Sequence, residues 1–406
     1  MTDTGTAPRR IYHGWWVVVS AFLVAQFGWG LGFYGSGIYL VALQERHGWS
    51  TGAIAAAITV HYVLGDAMFV QLGAAFERWG LRTVILGGIV AMVAGVAVLP
   101  SASALWHVHA GFALMAAGWA ATSGAAVNAL IAPWFDARRG IAVSLALNGA
   151  SFGGVIVAPV MVAAIQAMGF DAGVRAVAIV MGALLAPVVL LVVRRPRADE
   201  RDRRDGRAAA APPPPWRIGA VVRSRAFLTI SIPFALGLIA QVGLIIHQVA
   251  FLTPRIGIAA AGWAVSLTTI AAVAGRVGTG FLIDRVDRRA AASVNFLVQV
   301  AGVACLALGD GPAMLYLGCV LFGAGVGNVI TFPGLIVQRE FPAGHFTRVV
   351  ALVVAVNQFT FAFAPGLFGL VRDLTDGYGA VLALCAALQA LAAALVLVRP
   401  SSARAG

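Results

Sequence analysis

Residues 260–289 read AAGWAVSLTTIAAVAGRVGTGFLIDRVDRR: a long apolar run, one arginine inside it, and a densely charged end. Read as a helix, the stretch puts Arg276 about two turns before Asp284, within the oily part. An arginine at the centre of a bilayer costs a few kcal/mol on insertion scales and ~10 or more in simulations of isolated helices. Such a group persists where a cavity, a counter-charge or a ligand offsets that cost. The run then stops in Asp284, Arg285, Asp287, Arg288 and Arg289, so the chain leaves the apolar medium there.

The rest of the chain is built the same way. Of its 406 residues 60% are hydrophobic and 11% charged, with a mean hydropathy of +0.90. A soluble chain carries about 25% charged residues. Twelve apolar blocks fall at about 14–41, 52–76, 82–100, 104–132, 139–167, 172–193, 226–252, 260–283, 289–309, 312–338, 346–371 and 378–398. Most are long enough as helix to cross ~30 Å of hydrocarbon. They lack the alternation of barrel strands, so backbone satisfaction in lipid requires helices. The expectation is an all-α, polytopic membrane protein with 12 transmembrane helices, its partner the lipid bilayer.

All 28 basic residues are arginine. Without lysine there is no P-loop to hold nucleotide phosphates and no Schiff-base residue for pyridoxal. No metal-ligand cluster, nucleophile–base pair or cofactor loop is legible, so neither an enzyme, a cofactor nor a metal is expected. Cys305, Cys319 and Cys385 lie inside apolar blocks, where cysteine behaves as a small hydrophobe. The net charge of +12 is concentrated in loops between blocks, as membrane topology requires, and is no sign of nucleic-acid binding. Residues 1–13 carry Arg9 and Arg10 and no cleavage site follows, which predicts an uncleaved first span.

Residues 194–216, RRPRADERDRRDGRAAAAPPPPW, are charged and then rich in alanine and proline, and cannot bury a core. They divide the chain into six blocks and six. The predicted organisation is an N-terminal bundle over 1–193, a linker over 194–225 and a C-terminal bundle over 226–406. With the N terminus inside, 23 arginines lie in the cytoplasm and four (Arg46, Arg175, Arg255, Arg372) outside; removing the ten in the linker region leaves 13 against four. Positive residues stay inside, so both termini and the linker are predicted to be cytoplasmic.

The halves repeat. GAAFERWGLR, residues 73–82, ends block two, and GFLIDRVDRR, residues 280–289, ends block eight. Gly73 pairs with Gly280 and Glu77 with Asp284, each at an offset of 207, followed by Arg78 and Arg285 and then by Arg82 and Arg289. A weak internal repeat of this kind marks two-bundle transporters that bind at the bundle interface. The Gly-x-x-x-Asp/Glu-Arg-x-x-x-Arg loop, between spans two and three and again between eight and nine, resembles the signature of the major facilitator superfamily. The second copy is close to that pattern; the first is degraded, with Glu77 for the usual aspartate and a less basic end at Trp79-Gly80-Leu81-Arg82. The resemblance implies two pseudo-symmetric six-helix bundles that alternate access to a central site.

A narrower resemblance rests on Tyr12-His13-Gly14-Trp15-Trp16-Val17-Val18 entering span one, and on Trp134-Phe135 with Arg138-Arg139-Gly140 and Ala142 leading into span five. Both are similar to monocarboxylate transporters and to their bacterial oxalate/formate-antiporter-like relatives. In that group an arginine of span eight, here Arg276, binds the substrate carboxylate. The group also places an aspartate four residues earlier and links it to proton coupling; this chain has Ala272 there. Oxalate exchangers carry a second cation in span eleven, where this chain has Asn357. One cation suits one carboxylate, which favours a monocarboxylate.

From the residues alone, Arg276 is either a structural group, paired with a carboxylate or helix-end carbonyls, or a clamp whose guanidinium matches a carboxylate fork. Asp66 in span two and His61 five residues before it are candidates for proton coupling, or for polar ties between helices. His247 in span seven is a candidate for proton coupling and for substrate contact, or a plain polar contact. Tyr34, Trp119, Ser123 and Asn357 are candidate substrate contacts, with helix packing or a lipid-facing ring as the alternatives. The loops Gly73, Glu77, Arg78, Arg82 and Gly280, Asp284, Arg285, Arg288, Arg289 are candidate gating elements, pairing across the bundle interface in one state and parting in the other. The predicted function is secondary transport of a small organic monocarboxylate, such as lactate or pyruvate, across a bacterial inner membrane, with protons as the coupling ion. The alternatives are an exporter of amphipathic compounds and a membrane sensor that moves nothing.

Overall fold

The computed structural model describes residues 12–136, 138–197, 200 and 218–399. Eleven helical segments among them are long and apolar enough to cross a membrane. One, Arg139–Val192, has 54 residues. As a continuous helix it would reach ~80 Å, far beyond ~30 Å of hydrocarbon. It is broken at Gly169, whose φ of 77° and ψ of 167° lie outside helical space. A side chain is disfavoured at that φ, and glycine supplies it freely. Spans five and six are therefore two crossings, which makes twelve among the described residues.

Span one is His13–His47, two is Thr51–Trp79, three is Leu81–Ser101 and four is Leu105–Ile131. Span seven is Arg225–Ile256, eight is Ile258–Leu282 and nine is Arg288–Leu308. Span ten runs over Pro312–Val329 and continues as Phe332–Glu340. Span eleven is Phe346–Leu374 and twelve is Gly379–Val396. Several ends are capped as their sequences require. Ser50 accepts from the Ala53 amide at 3.2 Å, and Ser224 from the Phe227 amide at 3.2 Å. Asp287 accepts from the amides of Arg289 at 3.2 Å and Ala290 at 2.9 Å, opening span nine. Each cap satisfies N–H groups that the helix itself leaves unpaired.

Two π turns mark the centre. Gly30–Tyr34 lies in span one and Gly153–Val157 in span five. They meet closely, for a β-carbon on Gly153 would stand 2.7 Å from the Gly30 nitrogen. Such turns shift the helical register and recur at functional sites.

The two halves touch mainly at one end. The Gly52 amide donates to Asp373 Oδ2 at 2.7 Å, and the Gly366 amide to Thr59 Oγ1 at 2.9 Å, joining spans two and eleven. Ser266 Oγ donates to the Val155 carbonyl at 3.1 Å, joining spans eight and five. The first two contacts lie toward the ends of the spans remote from His13, Val193 and Val396, and the third is deeper along the same approach. On the opposite side no hydrogen bond between the halves is described. The hydrogen-bonded face, away from His13 and Val396, is the sealed side; the face around Arg82, Arg288 and Glu340, where no bond between the halves is described, is the open side.

On the open side each half ties its own ends. Arg289, 3% exposed, pairs with Glu340 through Nε at 2.6 Å and Nη2 at 2.7 Å. Its Nη1 donates to the carbonyls of Thr229 at 3.2 Å, Val396 at 2.8 Å and Val398 at 3.1 Å, so one side chain joins spans seven, nine, ten and twelve. Arg288 donates to the Leu335 carbonyl, and to Gln338 Oε1 at 3.2 Å. Both arginines bind within their own half, and among the described residues no pairing of either across the bundle interface, as expected from sequence, is found. In the first loop Arg82 Nε donates to the Val193 carbonyl at 2.9 Å and Arg78 stands over the Trp79 ring at 5.5 Å. Glu77 and Arg285 are exposed, and no atom would crowd a β-carbon on Gly73 or Gly280. The Asp284 side chain lies outside the described part.

Candidate substrate cavity between the two halves

A cavity of about 180 Å³ lies where the halves face each other. Span one supplies Trp29, Phe33 and Tyr34, span four Trp119 and span five Ser151. From the other half come Gln241 of span seven, Arg276 of span eight, and Asn357 and Phe361 of span eleven. Val354 and Ile330 complete the wall toward the open side and are 44% and 67% exposed. The wall is mainly apolar, with a few polar groups, as in small-molecule sites generally.

Arg276 is half-buried, and its Nε donates to the Gly327 carbonyl of span ten at 3.1 Å. That seat depends on Gly327 having no side chain, since a β-carbon there would stand 2.4 Å from the Ala272 oxygen and 3.0 Å from Arg276 Nε. The five ion pairs among the described residues do not include Arg276. No acceptor is described for its two terminal nitrogens. A guanidinium with one carbonyl contact and no counter-ion, on the wall of a cavity, is positioned to accept the two oxygens of a carboxylate.

Groups from both halves surround it. Tyr34 of span one and Thr269 of span eight meet over Gly154, where a β-carbon would stand 2.4 Å from Thr269 Oγ1 and 2.7 Å from the Tyr34 ring. Asn357 is 4% exposed, and its Oδ1 is buried without a partner. A buried acceptor left unpaired is costly, so a donor on a ligand would be favoured there. Gln241 donates to Gln299 Oε1 at 3.2 Å, and Gln389 donates to the same oxygen at 3.1 Å.

Trp119 forms the partition on the other side. Its ring lies 4.8 Å from that of Trp29, centroid to centroid, and 5.7 Å from that of His61. Its Nε1 is buried without a partner. On span two both oxygens of Asp66 are buried with no hydrogen-bond partner among the described residues. His61 Nδ1 contacts the Phe112 carbonyl at 3.3 Å, while its Nε2 is unpaired. Asp66 and His61 thus sit in the N-terminal half, outside the cavity wall.

Of the residues singled out from sequence, Arg276, Tyr34, Asn357 and Trp119 come together on the cavity wall. Ser123 and His247 stand elsewhere. Ser123 adopts an extended ψ of 178° at the break ending Leu105–Thr122, and its hydroxyl turns back to the Ala120 carbonyl at 2.9 Å. His247 is fully buried between Tyr378 Oη at 3.2 Å and the Pro365 carbonyl at 3.0 Å, near the sealed face. Gln241 was not picked out from sequence. A glutamine interrupting the apolar run of span seven was the available signal.

Comparison with known proteins agrees with this architecture. The chain matches the family profile of the Major Facilitator Superfamily over residues 20–365 and 249–405. It is 22% identical to the MFS-type transporter YcxA of Bacillus subtilis over 97% of this chain and 96% of that one. It is 29% identical to monocarboxylate transporter 11 of Mus musculus over 47% of this chain and 44% of that one. Among solved structures, the nucleoside transporter NupG superposes with a TM-score of 0.72 at 13% identity, covering 96% of this chain and 100% of its own. With its twelve crossings, its paired bundles and a profile match along almost the whole sequence, this chain belongs to the major facilitator superfamily.

Proposed function

We propose that the protein carries a small organic monocarboxylate across a membrane by alternating access, with Arg276 as the carboxylate-binding group. The supporting observation is a guanidinium on the wall of the inter-bundle cavity, bound to one carbonyl and to no described carboxylate. A single cation balances a single carboxylate, and Asn357 stands where a second cation would serve a dicarboxylate. The partial likeness to a monocarboxylate transporter points the same way. The arginine distribution supports an orientation with both termini and the 194–225 linker in the cytoplasm, and the membrane proposed is a bacterial inner membrane. In that orientation the described state faces inward.

Protons are the proposed coupling ion, carried at Asp66, with His61 five residues earlier on the same span as the second candidate. Ionised Asp66 would have no described donor to offset its desolvation, so the site suits the neutral acid. Trp119 lines the cavity and packs against His61 and Gly65 of span two, which would offer a mechanical link between cargo and proton. The aromatic lining would also suit an exporter of amphipathic compounds, with Arg276 as structure. The two readings part on one variant. Arg276→Gln, correctly inserted, should abolish uptake of labelled monocarboxylate into proteoliposomes; normal flux would remove the proposal. Asp66→Asn should leave uptake that no longer follows an imposed pH gradient, and a retained response would exclude Asp66 as the carrier.

A further inference from the structure

The lining of the cavity is unlike what a two- or three-carbon acid needs. Such an acid is mostly carboxylate and hydroxyl, and one arginine with a few polar neighbours would satisfy it. Here the N-terminal half presents the rings of Trp29, Phe33 and Trp119, with Phe361 closing from span eleven. Trp29 and Trp119 are tilted against each other at 4.8 Å, and Phe361 packs on Tyr62 at 5.7 Å, so the rings are braced rather than free to fold into the space. Val242 and Ile245 of span seven continue the apolar surface on the other half. The one cation lies in the C-terminal half and the tryptophan pair in the N-terminal half.

We propose that the cargo is an amphipathic monocarboxylate with a bulky apolar tail, of the aryl-alkanoate class, its carboxylate on Arg276 and its ring against Trp29 and Trp119. This rests on the carboxylate reading above and narrows it. A cargo of that shape touches both halves at once. Its binding energy therefore favours the state in which the halves close around it, which is how a ligand biases a conformational equilibrium. Lactate on Arg276 would leave the aromatic wall wetted and unused. A ring buried against such a wall improves affinity by about tenfold or more over an acid that lacks it.

The test is binding to the purified full-length protein, read as thermal shift and as inhibition of uptake, with 3-phenylpropanoate, lactate and the neutral 3-phenylpropanamide. The aryl acid should bind at least tenfold more tightly than lactate, and the amide should bind at least tenfold more weakly than the aryl acid. Trp29→Ala should lower the ratio of aryl-acid to lactate affinity about tenfold, a readout that a general loss of stability would not produce. Lactate binding as tightly as the aryl acid would overturn the aryl assignment and leave the carboxylate reading standing. Amide binding equal to the acid, unaffected by Arg276→Gln, would overturn the carboxylate reading as well. No response to either acid would overturn both.

Discussion

The seal between spans two and eleven can be pried open by one methyl-bearing side chain. A β-carbon on Gly369 would lie 2.7 Å from Ala55 Cβ and 2.9 Å from Gly52 Cα, where ordinary contact begins at 3.4 Å. The first carbon alone is therefore 0.7 Å too close, and valine adds two more. Its neighbours all belong to the other half, so the clash exists only while this face is shut. Overpacking of this kind costs ~1–3 kcal/mol, which displaces a two-state equilibrium by ~5- to 150-fold. Gly369→Val should shift the protein toward the state open on the face away from the termini. The reporter is Ile245→Cys, 6% exposed and on the cavity wall, in a background with Cys305, Cys319 and Cys385 replaced. A membrane-impermeant maleimide applied from the normally sealed face should label it at least fivefold faster with Gly369→Val than without. An unchanged labelling rate in a protein of unchanged melting temperature would refute the assignment of the seal.

Two further expectations concern the open side. Arg289→Met leaves Glu340 without its partner and three carbonyls without a donor; breaking such a buried pair costs ~3–5 kcal/mol, so the detergent-solubilised protein should melt several degrees lower, and an unchanged melt would deny Arg289 its role as the clasp of the C-terminal half. Glu200 accepts from both terminal nitrogens of Arg194 at 2.7 Å and from the Arg197 amide at 2.9 Å, and these bonds hold its carboxyl down at about 2, from an ordinary 4.5. Because the folded value is depressed, the contact is fully present above about 4.5 and is lost as pH falls through about 2. Hydrogen exchange at the Arg197 amide, corrected for its intrinsic pH dependence, should be protected equally at pH 7 and pH 5 and lose protection only below that window; protection lost already between 7 and 5 would contradict it.

The spans, their number and the membrane they cross were legible because a bilayer imposes a length and a polarity that composition alone reveals. Block five and block six are separable in sequence although both are apolar, and the structure puts the reversal at Gly169, just before the lone charge of Asp171. Arg276 was legible for the same reason: in an apolar block a single permanent charge stands out. The wall of the cavity was not. Span seven is buried almost all round, so no polar stripe distinguishes the face of Gln241 from that of His247. Six residues at about 100° each place these two on different sides of the helix. Ser123 follows Trp119 by four residues and would share its face on a continuous helix, but the helix ends there and the Ser123 hydroxyl is taken up by the Ala120 carbonyl.

What the sequence by itself determined is the twelve-helix scaffold and the stranded guanidinium, because both follow from local chemistry set against a uniform solvent. Which side chains meet that guanidinium, which face of the molecule is shut, and which arginines clasp their own half were decided only by the tertiary structure. Those outcomes depend on how helices distant in sequence rotate and cross, and a run of apolar residues carries no record of the direction in which each one points.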